Sequence, residues 1–193
     1  MLIPQSYSRC SGKKKALIIG INYTNHPDPR LKLRGCVNDA HAMARFLHEN
    51  ERFKGADILV LVDNQAESGK TLPTNQPTLP TKSNILEAMA WLVRDAQPDD
   101  SLLLYFSGHA KQIKNSDGDD VDGFNECICA MDYRDGGTRL FHHRESSGMI
   151  SNKDMGDIMV DPLPQRCRLT AIFDCSPSGN LLVLPFVVSG FGS

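Results

Sequence analysis

Ser101-Leu-Leu-Leu-Tyr-Phe106 followed by Ser107-Gly108-His109-Ala110 is the stretch on which the reading of this chain turns. A continuous apolar run that ends in a small polar turn is the signature of a strand covered on both faces. The same signature recurs on either side, in Ala16–Ile21 (ALIIGI), Asp57–Val62 (DILVLV) and Arg168–Phe173 (RLTAIF). Amphipathic segments separate these runs. Residues 36–48 place Val37, Ala40, Ala44 and Leu47 at helical spacing, and Ser83 can cap a helix from Asn84 to about Ala96 that carries Ile85, Met89 and Leu92 on one face. A shorter strand, Cys127–Met131, and a helix at about 152–160 precede the last run, and two polar stretches, 64–82 and 110–125, read as loops. Strands separated by helices imply right-handed crossovers, so the expected fold is α/β, a mainly parallel sheet sandwiched by helices. In such folds chemistry lies beyond the carboxyl ends of the strands, here after Ile21, Val62, Phe106 and Phe173.

The 193 residues hold 21 Lys or Arg against 23 Asp or Glu, with 40% hydrophobic and 23% charged residues. That balance excludes a disordered or collagen-like chain and provides no global basic footprint for nucleic acid. Lys13-Lys14-Lys15 reads as a polar lead-in to the first strand. The longest late apolar run, Leu181–Val188, is interrupted by Pro185 and too short to span a bilayer, so no membrane role is expected. The first residues lack the apolar core of a secretory signal, which makes the cytoplasm the expected location and reduced thiols the expected state of the six cysteines. Cys127 and Cys129 have neither zinc-knuckle nor redox-pair spacing and read as small buried hydrophobes of a strand.

Two strand ends carry chemistry-bearing residues: Ser107-Gly-His109 after the third strand, and Asp174-Cys175-Ser176-Pro177-Ser178-Gly179 after the fourth. A histidine facing a thiol or hydroxyl from a neighbouring strand is the basic geometry of nucleophilic catalysis. Together YFSGHA and RLTAIFDCSPSG resemble the two catalytic blocks of type I metacaspases, in the caspase-like peptidase family. KALIIGINY, LRGCVNDA, LPTKSNI and Leu184-Pro185-Phe186 extend the resemblance from Lys14 to Phe186. It implies a caspase-like domain over residues 14–188, with a lead-in of 1–13 and a tail of 189–193. It also implies cysteine-type endopeptidase activity directed at Arg or Lys.

By position, His109 corresponds to the family's catalytic histidine. The family's nucleophile block resembles Asp-Ser/Cys-Cys-His-Ser-Gly, which puts Ser176 where the attacking cysteine belongs and Pro177 where a histidine follows. Cys175 sits one place early, and neighbouring side chains diverge at a strand end, so its thiol is expected to aim away from the cleft. A serine hydroxyl needs a well-oriented base, and no orienting carboxylate for His109 is evident in the sequence. Pro177 also removes a backbone N–H beside the attacking position, where an oxyanion would need donors. Cys36, Asp39, Ser107 and Asp174 match the acidic pocket that accepts a basic side chain.

The resemblance places Asn125, Asn152, Lys153 and Val183 at the family's calcium aspartates. The expectation is that no cofactor is bound, although a shift of Asp154 by one or two places would fill part of the site. Asn115, Asp117, Asp119 and Glu126 fall at EF-hand offsets, but Asp120 stands where that loop requires Gly, so the stretch reads as a solvated excursion. Compared with the family the chain stops soon after the nucleophile block, which predicts an exposed sheet edge open to self-association or a partner. The expected protein is a metacaspase-like domain of impaired activity that binds basic peptide segments. The alternative is an endopeptidase using Ser176 or Cys175 with His109.

Overall fold

The computed structural model describes residues 7–50, 53, 57–63, 79–114, 124–134, 147–175 and 181–182. Four parallel strands, β1 (Lys14–Gly20), β2 (Asp57–Val62), β3 (Ser101–Ser107) and β7 (Arg168–Asp174), form a sheet of order β2-β1-β3-β7. Helices α1 (Cys36–Glu49), α2 (Lys82–Val93) and α3 (Asn152–Met159) complete the α/β fold expected from the pattern. Alternation along the strands divides the core. Leu17, Ile19, Leu102, Leu104 and Phe106 face α2 and α3, whereas Ala16, Ile18, Leu103 and Tyr105 face Val37, Ala40 and Leu47 of α1.

The sequence reading differs from the structure in three places. The supposed loop 110–125 begins as a strand, β4 (Ala110–Lys114), and the short strand at 127 is the centre of a long one, β5 (Phe124–Arg134). With β6 (Ser147–Ser151) these make a separate antiparallel sheet of order β4-β5-β6, so the parallel sheet is not the only one. Helix α2 starts at Lys82 with Thr81 as its cap, whose hydroxyl accepts the Asn84 N–H, rather than at Ser83. Cys127 and Cys129 are fully buried, as expected of strand hydrophobes.

Residues of the lead-in are stitched to the sheet's amino end: the Gly12 N–H donates to the Asp99 carbonyl, and the Lys13 N–H to Asp100 Oδ1 at 2.7 Å. Among the described residues no helix is long and apolar enough to cross a membrane.

Candidate active site

The carboxyl ends of β1, β3 and β7 meet in register, Gly20 beside Ser107 and Ser107 beside Asp174. A Cβ on Gly20 would lie 2.4 Å from the Cys36 carbonyl oxygen and 2.6 Å from the Ala40 Cβ. Only glycine therefore lets the first turn of α1 sit this close to the sheet. That approach brings Cys36 and Asp39 to the strand ends.

There the Tyr105 hydroxyl donates to Asp174 Oδ2 at 3.2 Å and the Ser107 hydroxyl to the same oxygen at 3.5 Å. Burial, with the carboxylates of Asp174 and Asp39 nearby, raises the Cys36 thiol above its ordinary range, against the pull of a hydrogen bond with Ser107. Burial and the Asp174 charge push the Tyr105 phenol up to about 12. The structure therefore brings together Cys36, Asp39, Ser107 and Asp174, and adds Tyr105 to them. Sequence reasoning passed over Tyr105 as a strand residue, although its parity with Ser107 put both on one face.

His109 follows β3. Its backbone N–H donates to the Tyr23 hydroxyl at 2.9 Å, and that hydroxyl donates to the Cys129 carbonyl at 2.7 Å. The two rings lie 4.7 Å apart and tilted. His109 Nε2 lies 2.8 Å from the Leu31 carbonyl, an acceptor only, so Nε2 carries the proton and Nδ1 holds the lone pair. The orienting group, for which the sequence offers no carboxylate, is thus a main-chain oxygen.

Leu31 belongs to a 3₁₀ turn, Pro29–Leu31, capped by Asp28, which accepts the Arg30 N–H at 3.0 Å and Arg30 Nη2 at 2.7 Å. The Arg30 donors hold the Asp28 carboxyl down at about 2. Tyr23 itself takes a left-handed φ of 54°, braced on both sides by Asp63, which accepts the Asn22 N–H at 2.9 Å and the Thr24 N–H at 3.0 Å. Asp63 is buried at the end of β2, a location the strand-end rule had flagged without naming the residue.

Ser176, Pro177 and Val183 lie outside the described residues, as do Asn115, Asp117, Asp119 and Asp120. Cys175, the last described residue of that block, packs against the larger core, on the side opposite Asp174. Burial and the charges of Asp174 and Glu126 push its thiol up to about 11. Such a thiol is a poor source of thiolate.

At two of the positions aligned with calcium ligands, Asn152 and Lys153, and at the neighbouring Asp154, the side chains have other uses. Asp154 closes a capping box with Ser151, Lys153 Nζ pairs with Asp157 Oδ2 at 2.7 Å, and Asn152 Oδ1 accepts the Lys153 N–H at 2.9 Å. Among the described residues no three His, Cys, Asp or Glu side chains converge as a metal site would require.

The family model described as metacaspase, peptidase C14 domain, matches residues 14–185. Metacaspase-1 of Yarrowia lipolytica is 44% identical over 186 residues, covering 96% of this chain and 36% of that protein. Metacaspase-1B of Aspergillus terreus is also 44% identical, over 96% of this chain and 43% of its own length. For Metacaspase-1 of Schizosaccharomyces pombe the figures are 42%, 96% and 39%. The chain thus spans about two fifths of the length of these relatives. The crystal structure of a Geobacter sulfurreducens protein matches with a TM-score of 0.59 and 21% identity, over 87% of this chain and 52% of that one, a likeness of fold.

Proposed function

The chain belongs to the metacaspase peptidase family, and from that premise we propose that it grips Arg or Lys side chains of peptides while cutting the adjoining amide weakly or not at all. The observation that carries this reading is the fixing of Asp174. The Tyr105 and Ser107 hydroxyls both donate to its Oδ2, and Asp39 stands nearby on α1. A guanidinium or ammonium entering there meets carboxylates whose geometry is already set, which favours binding.

The acid–base part of the machinery supports ancestry in proteolysis. His109 is held so that Nδ1 is the atom able to take a proton. In the family's manner that proton would come from the attacking side chain, which then adds to the scissile carbonyl and expels the amine. At Ser176 the attacking atom is oxygen, with a proton far harder to remove than a thiol's. Pro177 beside it offers no N–H to a developing oxyanion. Cys175 is a weak substitute, because its thiol is pushed up to about 11 and packs toward the core. The capping and ion-pair duties of Asp154, Asp157 and Lys153 favour action without calcium. Its ligands are basic protein segments, not nucleic acid or membrane, and the cytoplasm remains its proposed location.

The test is a fluorogenic peptide ending in Arg, assayed with and without calcium on the unaltered chain, Ser176→Cys, and Ser176→Cys with Pro177→His. The expected result is no turnover by the unaltered chain and calcium-independent turnover once the thiol is restored. Turnover by the unaltered chain that His109→Ala abolishes would establish the alternative, an active serine-type enzyme. Calcium binding in the micromolar range by titration calorimetry would overturn the calcium reading.

A further inference from the structure

Between Tyr23 and Val37 only one side chain is buried, that of His26, and neither the pocket nor the contacts of His109 use it. Leu31 and Leu33 reach the larger core only in part. The segment matters because Leu31 lends its carbonyl to His109.

A buried imidazole has to satisfy both ring nitrogens. Nε2 of His26 lies 2.9 Å from the Tyr133 carbonyl, which only accepts, so Nε2 carries the proton. Nδ1 lies 3.0 Å from the Asp28 nitrogen, which only donates, and the Asp28 carbonyl is farther away at 3.4 Å. Nδ1 therefore holds the lone pair, and the ring bridges a donor in the segment to an acceptor on β5. The ring stacks on that of Tyr133, with centroids 6.5 Å apart and planes 18° apart, and the His26 N–H donates to the Tyr23 carbonyl at 3.0 Å. An apolar side chain of similar size would fill the space and serve neither ring partner.

From His26 the hydrogen bonds run on to His109. The His26 ring holds the Asp28 N–H, and the Asp28 carbonyl accepts the Leu31 N–H at 3.2 Å. Beyond the turn, the Leu33 N–H donates to the Asn22 carbonyl at 2.8 Å. The Leu31 peptide is thus clamped from both sides, and its carbonyl is aimed at His109 Nε2. The ion pair of Asp28 with Arg30 lies at the surface, where the Arg30 side chain is 86% exposed, so water screens it and it adds little to the clamp. His26 is the buried anchor.

We propose that His26 is a positioning residue for the family's proteolytic chemistry: its ring fixes the turn that aims the Leu31 carbonyl, and through that carbonyl the His109 imidazole. The inference rests on the reading of His109 as the proton acceptor. If the turn loosens, the His109 Nε2–H loses its acceptor, and Nδ1 is no longer held as the lone-pair nitrogen.

Nitrogen NMR of the 193-residue chain with isotope-labelled histidine tests this, because protonated and lone-pair ring nitrogens resonate far apart. His26→Asn keeps an acceptor where Nδ1 stands but has no donor that reaches the Tyr133 carbonyl. His26→Gln keeps a donor toward that carbonyl and no acceptor for the Asp28 N–H. At about pH 8, above the ordinary imidazole range, His109 of the unaltered chain is expected in the Nε2–H form. His26→Asn is expected to preserve that form, and His26→Gln to give a mixture of tautomers. Carried into the chain with Ser176→Cys and Pro177→His, His26→Gln should lower kcat about tenfold with KM within about twofold, and His26→Asn should recover most of the rate.

An Nε2–H form of His109 that survives His26→Gln, or is lost equally in both variants, would overturn the positioning role. So would weaker binding of an Arg peptide in either variant, since His26 would then be a general prop of the site. A mixture of His109 tautomers already present in the unaltered chain would overturn premise and inference together. A silent restored-thiol chain bears on the proposed function alone, and the ring spectra then decide.

Discussion

His109 is held through two neighbours, and one of them acts through an atom that a sequence does not advertise. The Leu31 carbonyl sets its tautomer, and the Tyr23 hydroxyl receives its main-chain N–H. Replacing Tyr23 by Phe removes the buried hydroxyl that accepts that N–H and donates to the Cys129 carbonyl. The expected loss is about 1–3 kcal/mol in urea unfolding. Residue identities drew attention to His109 and Asp174, because a histidine or aspartate at a strand end stands out against an apolar background, whereas Cys36 and Asp39 on α1 came forward only through the family resemblance. A main-chain acceptor has no such letter, which is why the orienting role of Leu31 was invisible. The bracing by Asp63 depends on the left-handed turn at Tyr23, which pattern reading does not resolve.

Thiol reactivity offers a second test at this scale. Hydrogen bonds from Ser8 and Ser101 lower the Cys10 thiol, while burial first and then Asp174 raise that of Cys175 to about 11. Alkylation mapped by mass spectrometry near pH 8 should modify Cys10 well before Cys175, and labelling of Cys175 should climb only as the pH approaches 11.

Among the elements, the contact of α1 with β1 governs the site. Gly20→Ala puts a methyl against the Cys36 carbonyl and the Ala40 side chain, so α1 must shift. A stability loss of about 1–3 kcal/mol is expected, together with weaker binding of an Arg peptide, since Cys36 and Asp39 ride on that helix. The buried parallel strands were legible because their apolar runs are uninterrupted: Asp57–Val62 was read with its observed ends. The antiparallel sheet was not. β4 reads Ala-Lys-Gln-Ile-Lys, a polar sequence whose strand character comes from pairing with β5. β6 is five residues carrying a glycine at φ 80°, too short to stand out as a strand although Met149 and Ile150 pack into the larger core.

For the whole molecule, buried acids predict a fold that weakens in alkali. Burial raises Cys127, Cys167 and Cys175 from 9.0 to about 11 and Tyr105 from 10.0 to about 12, and it raises Tyr23 further still. Between pH 9 and 11 the unfolded chain has released thiol protons that the folded chain retains, so stability falls as pH rises through this window. The melting temperature should hold steady near pH 7–8 and drop progressively above pH 9, measured by calorimetry with a reductant present.

Native mass spectrometry of the unaltered chain with an Arg-containing peptide reads retention and scission in a single spectrum. The account predicts a complex at the summed mass of chain and uncut peptide, lost on Asp174→Asn, with no fragments accumulating over hours. Fragments ending in Arg, absent with His109→Ala, would contradict it.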